Sequence, residues 1–532
     1  MMKTLLRYCA VAVLLAGSFS ICSVSLADVK LPEIIASHMV LQRDQPLPIW
    51  GTADPGEEVT VKLDEATASA KADAKGNWKV VLPAVKADGK AHRMTVSGKN
   101  KIELEDILIG EVWLGSGQSN MKMGIGKSSK GGAAIAASKN PKIRLFSIQP
   151  RGRAPGPWAE CSPEVLRSKA YGNWGGFSGV LYYFGQRLHK DLDVPVGLIS
   201  STKGGTNIES WTGPKGGWYK GMITPVIPFS IRGVVWYQGE ANVGNGLQYA
   251  DKMKTLIEGW RKDWGNDFPF YFVQIAPFKG HRAGALPLTW HSQVAALKLP
   301  RTGMAVTTDL SDINNIHGIR HTEVGRRLAL WALAKDYGED LVYSGPVYKG
   351  MKVERKQIRI SFAHVGAGLA SRDKKPLTHF EIAGADGAFV PAEARIDSAK
   401  QTVLVRADDV AKPAHVRFGW SKTAQPNLMN KAKLPASPFT TENWQGGTAE
   451  SAEPKRRPTA PVQSKQVAAD VPFDEDREPR TWSAKSGSTL EAKLLRARGS
   501  RVELETPDGR KMQIKLRSLS AADREYVQSL GE

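Results

Sequence analysis

Residues 115–121 read GSGQSNM, directly after the apolar run ILIGEVWL. A serine lifted to the end of a buried strand, with its own N–H near its hydroxyl, has the layout of an acyl-transfer nucleophile. The same small residues also suit an ordinary turn, so Ser119 alone leaves both readings open. Three further polar sets follow apolar runs in the same way. After VPVGLISS comes TKGGTNIESW, where Gly204 and Gly205 let backbone N–H groups approach a ligand. After IRGVVWYQG comes EANVGN, where Gln238 and Asn242 carry donating amides, whereas an ionised Glu240 cannot donate. After GMAVTTD comes LSDINNIHGIRHTEVGRRLAL. There His317, in a loop beside Asp309, Asp312, Asn314 and Asn315, fits a general base with an acceptor behind it. His321 competes for that role but belongs to the start of the following helix.

An acyl-transfer site needs a nucleophile, a base, an orienting group and N–H donors for the oxyanion. The strand-end loops of an α/β sheet are where such groups collect. The order along the chain is Ser, Gly, amide, His. The ten histidines show no metal-ligand spacing, so no metal and no cofactor are expected.

The elements that must hold these residues follow from pattern. Residues 28–106 alternate short β-branched runs with DPG, KGN and ADGK turns, which predicts an N-terminal β-sandwich domain. Residues 107–339 alternate compact apolar runs with helical stretches such as GVLYYFGQRLHKDL and ADKMKTLIEGWRKDW. That predicts an α/β domain, a parallel sheet flanked by helices on both faces. Residues 340–445 return to β texture and are expected to pack on this core. Residues 446–479, rich in Pro, Ala, Ser and mixed charge, read as a flexible linker. Residues 480–532 form a small β module around a PDGR turn, with a helix expected after Ser520 and SAAD placed as an N-cap box variant.

A chain of 532 residues with 41% hydrophobic and 24% charged residues is globular and multidomain. Its start, with Lys3 and Arg7 before an apolar stretch and SLA before Asp28, predicts a signal peptide over 1–27. The protein is therefore expected to be exported, periplasmic or extracellular, with no stable membrane insertion after cleavage. Cleavage removes Cys9 and Cys22, so Cys161 remains alone, without a disulfide partner, and is expected to be structural or incidental. The net charge of +20 comes from basic residues spread along the chain, and no nucleic-acid motif accompanies it. Attraction to anionic glycans or a membrane surface is a better reading, and a merely basic surface a better one still.

GEVWLGSGQSNM, LISSTKGGTNIESWTG, VVWYQGEANV, IHGIRHTEVGRRLA and VRFGWSKTAQPNLMNKAKLPASPF together resemble the blocks of the sialate O-acetylesterase family, within the SGNH-type esterases. The resemblance covers residues 28–445. It implies an SGNH-hydrolase-like parallel sheet with accessory β-sandwich domains. It also implies that Ser119 is the nucleophile, His317 the base, and the N–H groups of Ser119 and Gly205 the oxyanion donors, with a side-chain donor from Gln238 or Asn242. Two departures stand out. His317 is followed by Gly318 where the family has Pro, and Asn314 stands where SGNH esterases often place the orienting Asp. Asp312 or a backbone carbonyl is left to orient His317. Residues 480–532 resemble an SH3-like homology module found fused to exported bacterial enzymes, available for a protein or glycan contact. The resulting expectation is an exported serine esterase that deacetylates sugars, such as sialic acids or plant-type polysaccharides, through an acetyl-enzyme. The alternative is a non-catalytic carbohydrate-binding or adhesion protein on an esterase scaffold.

Overall fold

The protein is described by a computed structural model covering residues 28–150, 154–442, 478–483, 489–498, 501–515 and 519–529. The expected signal peptide, and the linker apart from its last two residues, lie outside the described residues. The chain divides into two compact units. Among the described residues, the first holds those up to 442 apart from Gly338–Asp340, and the second holds those three with the described residues from 478 on.

The first unit is organised by one long strand, β1 (Lys101–Gly117), whose residues from Ile107 onward are all buried. The expected domain boundary at residue 106 therefore falls inside a continuous strand. Its first half pairs antiparallel with Ala91–Ser97, part of the N-terminal β region. In that region Val59, Val61 and Leu63 from one strand, and Trp78, Val80 and Leu82 from another, alternate with exposed residues and bury into a shared core.

The second half of β1 is the centre of the α/β sheet. Its partners are β2 (Asn140–Ile148), β3 (Gly156–Cys161), β4 (Val196–Thr202), β5 (Gly233–Tyr237), β6 (Phe270–Val273) and β7 (Thr302–Ala305), in the order β7-β6-β5-β1-β4-β2-β3. All neighbours are parallel except β3, which closes the edge antiparallel to β2. The order reverses at β1, and ligands of open α/β sheets bind at such a switch point, beyond the strands' carboxyl ends.

Short helix α1 (Ser119–Lys122) follows β1. One face of the sheet packs α2 (Gly179–Leu192) and α5 (His321–Lys335) through Val180, Leu181, Phe184, Leu328 and Ala332 against Trp113 and Val235. The opposite face packs α3 (Tyr249–Trp264) through Met253, Ile257 and Trp260 against Trp236 and Phe270. Each such large buried side chain contributes ~1.5–3 kcal/mol. The expected parallel sheet with helices on both faces is what the chain forms. Helix α4 (Ala285–Ala295) completes this part with Leu286 and Trp290.

The strands beyond residue 346 build small antiparallel sheets around Ile358, Ile360, Phe380, Val403 and Phe418. They dock on the α/β part by named bonds. Gln274 Nε2 donates to Ser437 Oγ at 2.9 Å, Phe278 N donates to Lys422 O at 2.9 Å, and Gln425 Nε2 donates to Ser311 O at 2.7 Å. Cys161 is buried, and burial pushes its thiol up to about 12, so it is an unreactive packing residue.

In the second unit, strands Arg480–Ser483, Thr489–Arg498, Arg501–Glu505 and Lys511–Lys515 form a four-stranded antiparallel sheet around Trp482. Its helix, Ala521–Ser529, begins where SAAD indicates. Asp523 N donates to Ser520 Oγ at 3.2 Å, while the Asp523 carboxylate accepts from the Ser520 hydroxyl and from Ser483 N. Among the described residues no helix is long and apolar enough to cross a membrane.

Candidate active site

Ser119 is the first residue of α1, at the carboxyl end of the central strand. Gly117 has φ +133°, and a Cβ there would lie 2.2 Å from the Tyr237 carbonyl. Only glycine lets β1 run so close to β5 and then turn Ser119 out of the sheet. Gln118 locks the turn: its N–H donates to Tyr237 O at 3.0 Å, and its Oε1 accepts from Ala241 N at 3.2 Å. Met121 N and Lys122 N both bond to Gln118 O, whereas the N–H groups of Ser119 and Asn120 open the helix and have no acceptor within it.

The loop after β4 arrives beside the serine. A Cβ on Gly204 would sit 3.6 Å from Ser119 Cβ, and Gly205 has φ +73° with open space around it. Gly205, the next residue, is exposed.

The two amides expected as side-chain oxyanion donors are not free to serve. Gln238 is fully buried. Its Nε2 donates to Thr206 O at 3.2 Å and to Asn242 Oδ1 at 2.7 Å, and its Oε1 accepts from Tyr249 OH at 2.7 Å. Asn242 donates to Glu209 Oε2 at 3.0 Å and to Asn245 Oδ1 at 2.7 Å, and accepts from Ile208 N at 2.8 Å. Each amide has two N–H bonds to give, and both are spent inside the protein. The pair clamps residues 206–209, and so fixes the loop that presents Gly205. This corrects the sequence reading from donor to positioning group.

His317 lies half-buried in the loop before α5, with its ring edge-on to Trp174 at 4.8 Å between centroids. Burial holds its imidazole below the usual value, which keeps it neutral and able to accept a proton. Asp312 does not stand behind it. The exposed Asp312 carboxylate accepts from Asn314 N at 2.9 Å and Asn314 Nδ2 at 3.1 Å, a local turn in which the acid is consumed two residues from itself. Asn315 in turn caps the backbone N–H of His317 at 2.9 Å. Among the described residues no carboxylate contacts the His317 ring, so the expected Asp312 partnership is absent in this arrangement. His321, the rival base, is buried at the start of α5 and bonded through Nδ1 to Ser128 Oγ at 2.7 Å; burial pulls it down to about 4.

Ser119 and His317 are tied together by a residue that the sequence reading passed over. Asn120 Nδ2 donates to Ile316 O at 3.1 Å and to Glu240 Oε1 at 2.5 Å. One amide therefore joins the residue after the serine, the residue before the histidine, and the loop after β5. The Asn120 Oδ1 and Glu240 Oε2 atoms are buried with no partner among the described residues, and burial pushes the Glu240 carboxyl up to about 7. Glu240, which cannot donate while ionised, accepts here. Trp174, the ring against His317, carried no chemical signal within YGNWGGFSG. Lys122, Asn173 and Lys203 line a polar cavity of about 300 Å³ at the ends of β2 and β4. No group of three His, Cys, Asp or Glu side chains among the described residues is placed to hold a metal.

Comparisons with known proteins place the chain among carbohydrate esterases. A family model described as a carbohydrate esterase, sialic acid-specific acetylesterase, matches residues 109–334. The chain is 31% identical over 381 residues to the sialate O-acetylesterase of Homo sapiens, spanning 59% of this chain and 72% of that protein. It is 28% identical over 508 residues to that of Rattus norvegicus, spanning 76% of this chain and 93% of that protein. Among solved structures it is similar to a carbohydrate acetylesterase from Xanthomonas citri, with a TM-score of 0.72 and 37% identity over 78% of this chain and 100% of that one. Fold and relatives together define the class, a carboxylic ester hydrolase. Within it, the chain belongs to the sialate O-acetylesterase family.

Proposed function

We propose that this protein removes O-acetyl groups from acetylated sugars through an acetyl-enzyme. Ser119 Oγ attacks the acetyl carbonyl while His317 takes the hydroxyl proton. The oxyanion is received by the N–H groups of Ser119 and Gly205. His317 then gives its proton to the departing sugar oxygen as the C–O bond breaks. Water, deprotonated by His317, attacks the acetyl-serine, and acetate and the free serine result. The orienting group for His317 is its loop rather than an acid: the Asn120 bond to Ile316 O, the Asn315 cap and the Trp174 ring fix where the imidazole lies.

The observation that carries this reading is the placement of Ser119 at the switch point, against Gly204, with the His317 loop bonded to the adjacent Asn120. The test is acetate release from acetylated sialic acids and acetylated xylo-oligosaccharides by wild type and Ser119→Ala. Release that depends on Ser119 supports the reading. No release by wild type, or undiminished release by the variant, returns the chain to the binding-scaffold alternative. Trapping acetyl-Ser119 by mass spectrometry after acid quench tests the covalent step.

We further infer export, with cleavage before Asp28, from the signal-like start. A secreted product beginning at Asp28 is the expected result of N-terminal sequencing. The C-terminal unit is read as an SH3-like appended module from its sequence pattern and its four-stranded sheet.

A further inference from the structure

A cleft of about 680 Å³ lies between the start of α5 and the chain segment 426–435 of the accessory β region. Its charges do not balance. The acids lining it, Asp309 and Glu323, are both consumed. Arg327 donates to both Asp309 oxygens at 2.7 Å and to Glu323 Oε1 at 2.8 Å, and Arg326 forks onto Glu323 at 2.6 and 2.7 Å. Three more cations line the cleft, Arg320, Arg372 and Lys433, all exposed. Among the described residues none of the three has a carboxylate partner, and Arg372 reaches only the Gln425 carbonyl, at 3.4 Å. Asp373, next in the chain, is turned away onto Ser371 Oγ, Asn427 Nδ2 and Lys375 N.

Three like charges gathered around one concavity repel each other and attract anions. Two of them are guanidinium groups, whose flat forks match a carboxylate. Among the lining residues the half-buried Leu310 and Met429 offer apolar surface of the kind that covers the face of a sugar ring. The cleft also adjoins the candidate active site. Arg320 is three residues from His317, and three residues of chain span at most about 11 Å.

We propose that this cleft is a subsite for a carboxylate-bearing sugar unit of a polymeric acetylated glycan, held by Arg320, Arg372 and Lys433 while a nearby unit presents its acetyl group at Ser119. This rests on the reading of Ser119 as the deacetylating nucleophile. It deepens that reading by naming an acidic, uronate-containing polysaccharide as the substrate class.

The test compares wild type with an Arg320→Gln/Arg372→Gln variant of the full chain on three substrates. These are acetylated oligogalacturonate, acetylated xylo-oligosaccharides free of uronate, and p-nitrophenyl acetate. The expected result is a KM about tenfold or more higher for the acidic substrate alone. Added salt should reproduce that selective loss in wild type. An unchanged KM for acetylated oligogalacturonate, or an equal rise for the neutral substrate, overturns the proposal. Calorimetric binding of non-acetylated oligogalacturonate separates the subsite from the chemistry. Binding that the double variant weakens upholds the subsite even if no acetate is released, in which case the nucleophile assignment fails instead. Equal binding of wild type to inorganic phosphate or to a sulfated neutral oligosaccharide overturns the carboxylate assignment.

Discussion

Near the start of the buried half of β1, Glu111 is fully buried and completely partnered. Arg43 and Arg232 bond its carboxylate at 2.5 to 3.1 Å, Tyr337 OH donates at 2.8 Å, and Gln42 Nε2 donates at 3.1 Å. At the other end of the strand, Ser116 Oγ, Asn120 Oδ1 and Glu240 Oε2 are buried without partners among the described residues. A buried polar group without a bond costs about 1–3 kcal/mol, and few survive without a reason. The closed network at Glu111 pins the strand. The open one lies beside Ser119 and in the loops that Asn120 bonds, those of Glu240 and Ile316. The difference teaches that one strand can be pinned at a saturated polar network and carry, at its other end, polar groups left without partners.

That contrast breaks if the open end proves dispensable. Ser119→Ala should lower kcat about 10⁴-fold or more, and His317→Ala to a similar degree, with the thermal midpoint little changed. Assay of p-nitrophenyl acetate beside a melting curve checks both. The closed end should respond in the opposite way. Glu111→Ala leaves two arginines facing a buried void and should cost about 3–5 kcal/mol in urea unfolding. The activity of each folded molecule should stay near wild type; a loss of kcat without a loss of stability would erase the distinction.

Asn120→Ala should fall between, lowering kcat about 10- to 100-fold by freeing the His317 loop, with a smaller change in KM. Steady-state kinetics on one acetylated sugar decides it.

His321 sharpens the comparison through pH. It titrates at about 4 in the fold against an ordinary 6.5, so the unfolded chain binds more protons between those values. Stability from this group is present above pH 6.5 and is lost as pH falls toward 4. Urea midpoints of wild type should drop across that window, and His321→Gln should flatten the drop.

The smallest effect is expected at Asp312. Because its carboxylate is committed to Asn314, Asp312→Ala should change kcat by less than about threefold. A fall of 100-fold would show that the loop rearranges to place the acid behind His317.

The apolar runs and the polar sets that follow them made much of this legible in advance. ILIGEVWL, VVWYQ and FYFVQIA could only be buried strands, and buried parallel strands deliver their following residues to one edge. Ser119, Gly205 and His317 were therefore visible as a set. The fates of Gln238, Asn242 and Asp312 were not, because an amide or carboxylate has the same letters whether its bonds are free or spent. Gln238 is spent on Thr206 and Tyr249, contacts 32 and 11 residues away.

What the sequence determined by itself was periodicity, and with it the parallel sheet and the serine after one of its strands. Hydrophobic burial is read from residue type and spacing, which are local. What only the tertiary structure decided was which polar groups meet. Asn120 finds Ile316 196 residues away, and Arg320 and Arg372 line one cleft built from two regions of the chain. Hydrogen bonds and charge balance depend on distances of a few ångströms between remote segments, and no local pattern encodes those.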